Sequence, residues 1–211
     1  MEMKKNRILY QGAEAKIVLD EYLDKRVVKK KRIPKKYRIK EIDDMLIKSR
    51  TKEEAKLMSE ARKHGVSVPI IYDVDLIDGV LTMEFIDGEK VKDILEDIGD
   101  ERRVSLCKKI GKSIACLHDN DIIHGDITTS NMILRNNRVY FIDFGLGCKA
   151  SEVEAKGVDL HVLMEAFEST HSQYEDCFKH VFESYREELN KTDGELVVKK
   201  IEDIVRRGRY R

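Results

Sequence analysis

The chain is 211 residues long, with 40 Lys and Arg against 40 Asp and Glu and a formal net charge of +0. That length supplies one core rather than several independent domains, and the even charge excludes a molecule-wide attraction to nucleic acid, leaving that task to local patches. Cys107, Cys116, Cys148 and Cys177 lie far apart with no C-x-x-C pair, and no long apolar run or leader-like segment is present, which predicts reduced thiols in a soluble, cytoplasmic protein with no membrane contact.

Ile8 to Val28 is predicted as two strands around a turn, Gln11-Gly12-Ala13-Glu14-Ala15. The β-branched run Val27-Val28 leads into Lys29-Lys30-Lys31-Arg32-Ile33 and stops at Pro34. Alternation puts Val28 and Lys30 on one face and Val27 and Lys29 on the other, so periodicity alone does not choose between the two lysines. Ile39, Ile42 and Leu46, then Thr51 to Ala61, carry helical spacing and predict two helices, the second containing Glu53 and Glu54 and ending at His64-Gly65. Val68 to Ile86 is predicted as a hairpin about Asp78-Gly79, followed by a hinge at Asp87-Gly88. Helices are predicted over Val91–Ile98 and Arg102–His118, the second with a stripe of Leu106, Ile110, Ile114 and Leu117. Further helices are predicted over Val158–Phe167, Gln173–Leu189 and Glu195–Arg206, before a terminal Arg206-Arg207-Gly208-Arg209-Tyr210-Arg211.

Between these elements stands the stretch with the most chemistry. Ile123-His124-Gly125-Asp126-Ile127-Thr128-Thr129-Ser130-Asn131 is followed by Phe141-Ile142-Asp143-Phe144-Gly145, each flanked by apolar residues that predict short buried strands. Asp126 and Asn131 have the spacing of a kinase catalytic loop, in which the acid orients the attacking hydroxyl and the amide holds Mg²⁺; Asp143 has the place of the acid that holds the metal against the phosphates. Two carboxylates and an amide gathered beside apolar strands repel one another unless a cation joins them. ATP and Mg²⁺ are therefore the expected cofactors.

The remaining parts of an ATP site can then be assigned along the chain. Gly12 and Ala13 form a shortened nucleotide flap, where ordinary kinases carry several glycines. Lys29 or Lys30 reaches the phosphates, and Glu54 or Glu53 steadies that lysine. Met83 lines the base pocket, and Glu84 and Ile86 hold the base through their main chain. The expected architecture is α+β, a reduced bilobal kinase-like fold with an N-lobe over residues 1–86 and a C-lobe over 87–211. The arginines Arg206, Arg207, Arg209 and Arg211, interleaved with a glycine and an aromatic, suit RNA phosphates and bases.

The combination of His124-Gly125-Asp126-Ile127-Thr128-Thr129-Ser130-Asn131-Met132, Asp143-Phe144-Gly145-Leu146-Gly147, Arg32-Ile33-Pro34-Lys35-Lys36-Tyr37-Arg38 and the terminal Arg-Gly-Arg resembles the small atypical kinase subunit of the KEOPS complex. The resemblance runs from Gly12-Ala13-Glu14-Ala15 to the C-terminus. RIO-type and aminoglycoside-type kinases share His-Gly-Asp without the other elements. It implies an ATPase with serine/threonine kinase activity, serving the assembly that makes threonylcarbamoyladenosine in tRNA. It also implies Lys30 as the phosphate lysine and Glu54 as its partner. The partners implied are a large ASKHA-fold catalytic subunit, fused to the kinase in some archaea, a small regulatory subunit on the N-lobe, and tRNA. Two rival readings are a scaffold that holds nucleotide as a structural ligand, and a small-molecule kinase, for which the C-terminal half is too short to wall in a substrate.

Overall fold

The computed structural model describes residues 7–174, 176–189 and 191–208. The first half is a five-stranded antiparallel sheet of order β1-β2-β3-β5-β4: β1 Arg7–Gln11, β2 Ala15–Tyr22, β3 Lys25–Arg32, β4 Ile71–Asp75 and β5 Val80–Glu84. Three strands cover residues 7–32, and the turn between the second and third, not located from the sequence, falls at Leu23-Asp24, where both φ angles are positive (49° and 59°). That conformation closes a two-residue hairpin, and a leucine in its first central position gives none of the Asn-Gly or Asp-Gly signal by which such turns are usually read.

A single helix, α1 over Lys40–Lys63, replaces the two that were expected. No Gly or Pro interrupts it, and the Thr51 hydroxyl turns back onto the Ile47 carbonyl at 2.8 Å. Ile39 and Ile42 are exposed, so their helical spacing does not mark a core face; α1 enters the core further on, through Leu57, Met58 and Ala61.

Phe85 to Gly88 joins the sheet to the helical half, which begins with β6 (Glu89–Lys90) and α2 (Val91–Ile94). α2 is shorter than the expected Val91–Ile98. Its C-terminal side runs into a turn whose carbonyls are collected by Arg103: Nε bonds Leu95 O at 2.8 Å and Nη2 bonds Ile98 O at 2.5 Å. α3 (Asp100–Asp119) buries Leu106, Ile110, Ile114 and Leu117 to 2% exposure or less, each contributing about 1.5–3 kcal/mol. The short strands follow: β7 (Ile122–Ile123), β8 (Met132–Arg135), β9 (Arg138–Phe141) and β10 (Cys148–Lys149), in two small sheets of order β10-β7 and β6-β8-β9. α4 (Val153–Thr170), α5 (Asp176–Glu188) and α6 (Lys191–Gly208) complete the described chain. α4 begins five residues before the expected Val158, directly after the connection from β10.

One contiguous hydrophobic cluster passes from Leu57, Met58 and Leu81 of the sheet half to Ile110, Phe141 and Phe144 of the helical half. Among the described residues no helix is long and apolar enough to cross a membrane. The four cysteines are unbridged. Of the terminal arginines, Arg206 and Arg207 fall on the backbone of α6 with side chains outside the described residues, as are Arg209 and Arg211 altogether.

Candidate active site

His124 to Asn131 leaves β7 and returns into β8, held from beneath by α4. Asp159, 1% exposed, accepts the backbone N–H of Gly125 on Oδ1 at 2.9 Å and that of His124 on Oδ2 at 2.9 Å, while His118 Nε2 donates to Oδ2 at 3.2 Å. Burial alone would raise the Asp159 carboxyl; its hydrogen bond from His118 and the nearby histidines outweigh this and keep it below the ordinary carboxylate range. Gly125 has φ +80°, and a Cβ there would come within 2.2 Å of the Leu146 carbonyl oxygen, so only glycine permits this passage of the loop beneath the second motif.

His124 ties the two motifs together. Its Nε2 donates to Ile142 O at 3.1 Å, next to Asp143, and its Nδ1 accepts the Asp126 N–H at 3.3 Å. Burial pushes its imidazole below the usual value, so it stays neutral, in the tautomer these bonds need. Asn131, on a 3₁₀ turn over Thr129–Asn131, donates its amide to Asp126 Oδ2 and to Asp126 O, both at 2.9 Å.

From the sheet come the cations. Val28, Lys30 and Arg32 share one face of β3, and Lys30 Nζ lies 2.7 Å from Glu54 Oε1 and 2.5 Å from Asp143 Oδ1. The other Glu54 oxygen takes Arg32 Nη2 at 2.7 Å. Lys30, Glu54 and Arg32 are all at least 94% buried, and taking one member from such a group leaves a charge uncompensated away from water. Asp143 stands at φ +64°, a strained region that Asp tolerates better than most residues. Burial would raise its carboxyl, but the Lys30 ammonium and the Gly145 N–H hold it below the ordinary range, as an anion.

Between the two halves lie two adjoining cavities. One, of about 320 Å³, is mostly apolar, with Val28, Met83, Ile86, Ile133 and Ile142 in its walls; the other, of about 230 Å³, is lined by Gly12, Ala13, Lys30, Arg32, Asp126 and Asp143. An apolar slot opening onto a polar, cationic chamber has the shape and chemistry to take a purine and its phosphates. The Glu84 N–H is already donated to Ile70 O at 2.7 Å, so what Glu84 can offer a base is its carbonyl. Ile86 O receives the Gly88 N–H at 3.0 Å. The flap is pinned by Glu14, which pairs with Arg50 at 3.1 Å and Lys35 at 3.5 Å.

The donor set fits Mg²⁺. Asp143 is an anion, and the Asn131 nitrogen is committed to Asp126, so Asn131 Oδ1 is the atom that would ligate; both would offer hard oxygens. Among the described residues no group of three or more His, Cys, Asp or Glu is placed to hold a metal. A Mg²⁺ ion at a phosphoryl-transfer site takes one or two protein oxygens and completes its shell from phosphates and water.

The residues singled out from the sequence, Gly12, Ala13, Lys30, Glu54, Met83, Glu84, Ile86, Asp126, Asn131 and Asp143, thus all lie at these cavities or bond to residues that do. Of the open pairs, Lys30 faces Glu54 while Lys29 pairs with Asp20 at 2.7 Å on the opposite face of the strand. Three residues of the site were not expected. Arg32 had no role assigned from the sequence, yet alternation from Lys30 puts it on the same face. Asp159 was legible only as an acid beside Leu160 and Leu163 on an otherwise apolar helix face, and His118 as the polar end of the α3 stripe.

A RIO domain model matches residues 16–187 of the chain. KEOPS complex subunit Bud32 of Pyrococcus abyssi is 45% identical over 212 residues, covering 97% of this chain and 96% of that protein. A probable bifunctional tRNA threonylcarbamoyladenosine biosynthesis protein of Methanobrevibacter smithii is 46% identical over 209 residues, but the match covers only 37% of it. Among solved structures, the Rio2 kinase–ADP/Mg²⁺–phosphoaspartate complex from Chaetomium thermophilum superposes with a TM-score of 0.64 over 93% of this chain and 69% of that one, at 16% identity. That likeness carries the fold: a reduced, bilobal, kinase-like α+β architecture. By a domain model that spans most of its length and a relative matched almost end to end, the chain belongs to the RIO-domain family, among the Bud32 kinases.

Proposed function

We propose that the chain is a Mg²⁺-dependent ATP phosphotransferase and ATP hydrolase that works as the kinase subunit of a KEOPS assembly in tRNA threonylcarbamoyladenosine formation. The observation that carries the chemistry is Lys30 Nζ held between Glu54 and Asp143, at 2.7 Å and 2.5 Å, where the apolar cavity meets the polar one. Lys30 orients the α- and β-phosphates, Glu54 fixes Lys30, and Arg32 shares the charge of Glu54. Asp126 orients the acceptor oxygen, water or a Ser/Thr hydroxyl, with Asn131 fixing its carboxylate. Asn131 and Asp143 would hold Mg²⁺, which neutralises charge on the transferred phosphoryl group when bound. Phosphoryl transfer asks mainly for positioning and charge neutralisation, which such a set supplies. The large ASKHA-fold subunit, a small subunit on the N-lobe, and tRNA are the proposed partners; the name of the bifunctional relative fits a close working contact with the first.

Asp143→Ala is the direct test. It should abolish ATP turnover while leaving the far-ultraviolet circular dichroism unchanged; turnover equal to the parent's would end the assignment. A scaffold that keeps nucleotide as a structural ligand is favoured by one feature: β10 ends at Lys149 and α4 begins at Val153, leaving no room for an activation segment. In a reconstituted assembly, Asp126→Ala that still binds nucleotide should lose tRNA modification, and full modification would favour the scaffold.

A further inference from the structure

The first strand of the sheet is irregular. Ile8 stands opposite Val18 and Tyr10 opposite Ile17, so the register slips between them. Successive side chains of a regular strand face opposite sides, and a bulge re-aims one of them. Here Leu9 and Tyr10, neighbours in sequence, both line the apolar cavity. Tyr10 also lines the polar cavity, a property it shares with Lys30 and Asp143.

The Tyr10 ring bends over the flap. A Cβ on Gly12 would lie 2.9 Å from both Cε1 and Oη of Tyr10. Gly12 is not among the residues with positive φ, so the chain there does not itself call for glycine; a side chain at this position would instead push the Tyr10 ring out of its present place. Gly12 lines the polar cavity alone, which puts the Tyr10 hydroxyl on the phosphate side. Even so, Tyr10 is 62% exposed, a large aromatic left uncovered at the mouth of a cleft.

We propose that Tyr10 is the nucleotide-covering residue of this flap: its ring closes over the sugar of the bound nucleotide, between base and phosphates, and its hydroxyl donates on the phosphate side. The single glycine serves to seat that ring, so one aromatic side chain does what several glycine N–H groups do in a longer flap. This rests on the reading of the cleft as an ATP site.

The test uses the full chain, which has no tryptophan, so that Tyr10→Trp gives a single indole at the cleft mouth. Saturating Mg-ADP should shift and change its emission. Tyr10→Ala should raise KM for ATP about tenfold with kcat within about twofold, the pattern of weakened binding with the chemical step intact. Tyr10→Phe should raise KM less, and Gly12→Ala should match Tyr10→Ala, with the double variant no worse than either alone. An unchanged KM in Tyr10→Ala, a Trp emission indifferent to nucleotide that calorimetry shows bound, or a fall in kcat and melting temperature without a change in KM would each overturn the proposal. Absence of Mg-ADP binding to the parent chain by calorimetry would instead overturn the ATP-site reading, and this proposal with it.

Discussion

Asp159 holds Gly125 by its backbone, Oδ1 to N–H at 2.9 Å, from a helix that begins well after the His124–Asn131 loop has ended. Its second oxygen serves His124 and His118, so one buried carboxylate sets the path of the loop that presents Asp126. Asp159→Asn keeps the volume but turns an N–H₂ toward one of these donors. It should cost about 2–3 kcal/mol in urea unfolding and lower kcat far more than it raises KM. A variant with parental kcat would show that the loop does not depend on this carboxylate.

Glu54 stands between two buried cations, whereas Lys30 stands between two carboxylates and leaves Glu54 its bond to Arg32 if it is removed. Both Glu54→Ala and Lys30→Met should suppress ATP turnover. Their stabilities should differ: Glu54→Ala should cost about 3–5 kcal/mol, as expected for a broken buried pair, and Lys30→Met distinctly less. Urea titrations of the two variants beside the parent decide this, and equal losses would mean that Arg32 does not compensate Glu54.

His124 gives a pH signature. Burial lowers its folded-state pKa below the ordinary 6.5, so on acidification the unfolded chain takes up a proton that the folded chain refuses. The stabilisation is complete above the ordinary value and is lost as pH falls toward the depressed one, by up to about 1.4 kcal/mol per pH unit. Asp143 and Asp159, also depressed, retain their contribution until pH falls below the ordinary 3.8. Unfolding free energy should therefore decline as pH falls below about 6.5, and His124→Asn should reduce that slope by as much as one proton.

Asn131 and Asp143 should differ in the severity of their loss. Asp143 is charged and meets Lys30 directly, while Asn131 would contribute one neutral oxygen and holds Asp126 by a hydrogen bond. Asn131→Ala should retain weak ATPase activity with a Mg²⁺ requirement raised by about tenfold or more, read by titrating Mg²⁺ at saturating ATP. Chelation of the metal should silence the parent, and an Asn131→Ala variant with a parental Mg²⁺ curve would remove this amide from the metal.

For RNA, replacing Arg206, Arg207, Arg209 and Arg211 together by Ala should weaken tRNA binding and reduce the steepness of its salt dependence. Each arginine that neutralises a phosphate in the parent should account for about one unit of that slope. Filter binding across a salt series measures it, and an unaltered slope would exclude the tail from RNA recognition.

Local pattern carried much of the architecture. The stripe of Leu106, Ile110, Ile114 and Leu117 is the buried face of α3, and Asp78-Gly79 closes the turn between β4 and β5, because helix period and turn chemistry are properties of neighbouring residues. It failed where a local signal was absent or pointed the wrong way. Leu23-Asp24 adopts a hairpin conformation without hairpin residues, and Ile39 and Ile42 repeat at helical spacing while facing solvent.

The sequence by itself determined which groups are proposed for phosphoryl transfer: Asp126, Asn131 and Asp143 are picked out by spacing along short stretches of chain, and no folding is needed to see them. Only the tertiary structure decided what faces them. Lys30 over Lys29 depends on which face of β3 turns to the cleft, the joint hold of Lys30 and Arg32 on Glu54 depends on where α1 crosses the sheet, and the support from Asp159 depends on α4 passing beneath the loop. These pairings bring together residues distant in sequence, and hydrophobic burial, which acts on whole faces of helices and strands, fixes them without leaving a mark in any local stretch.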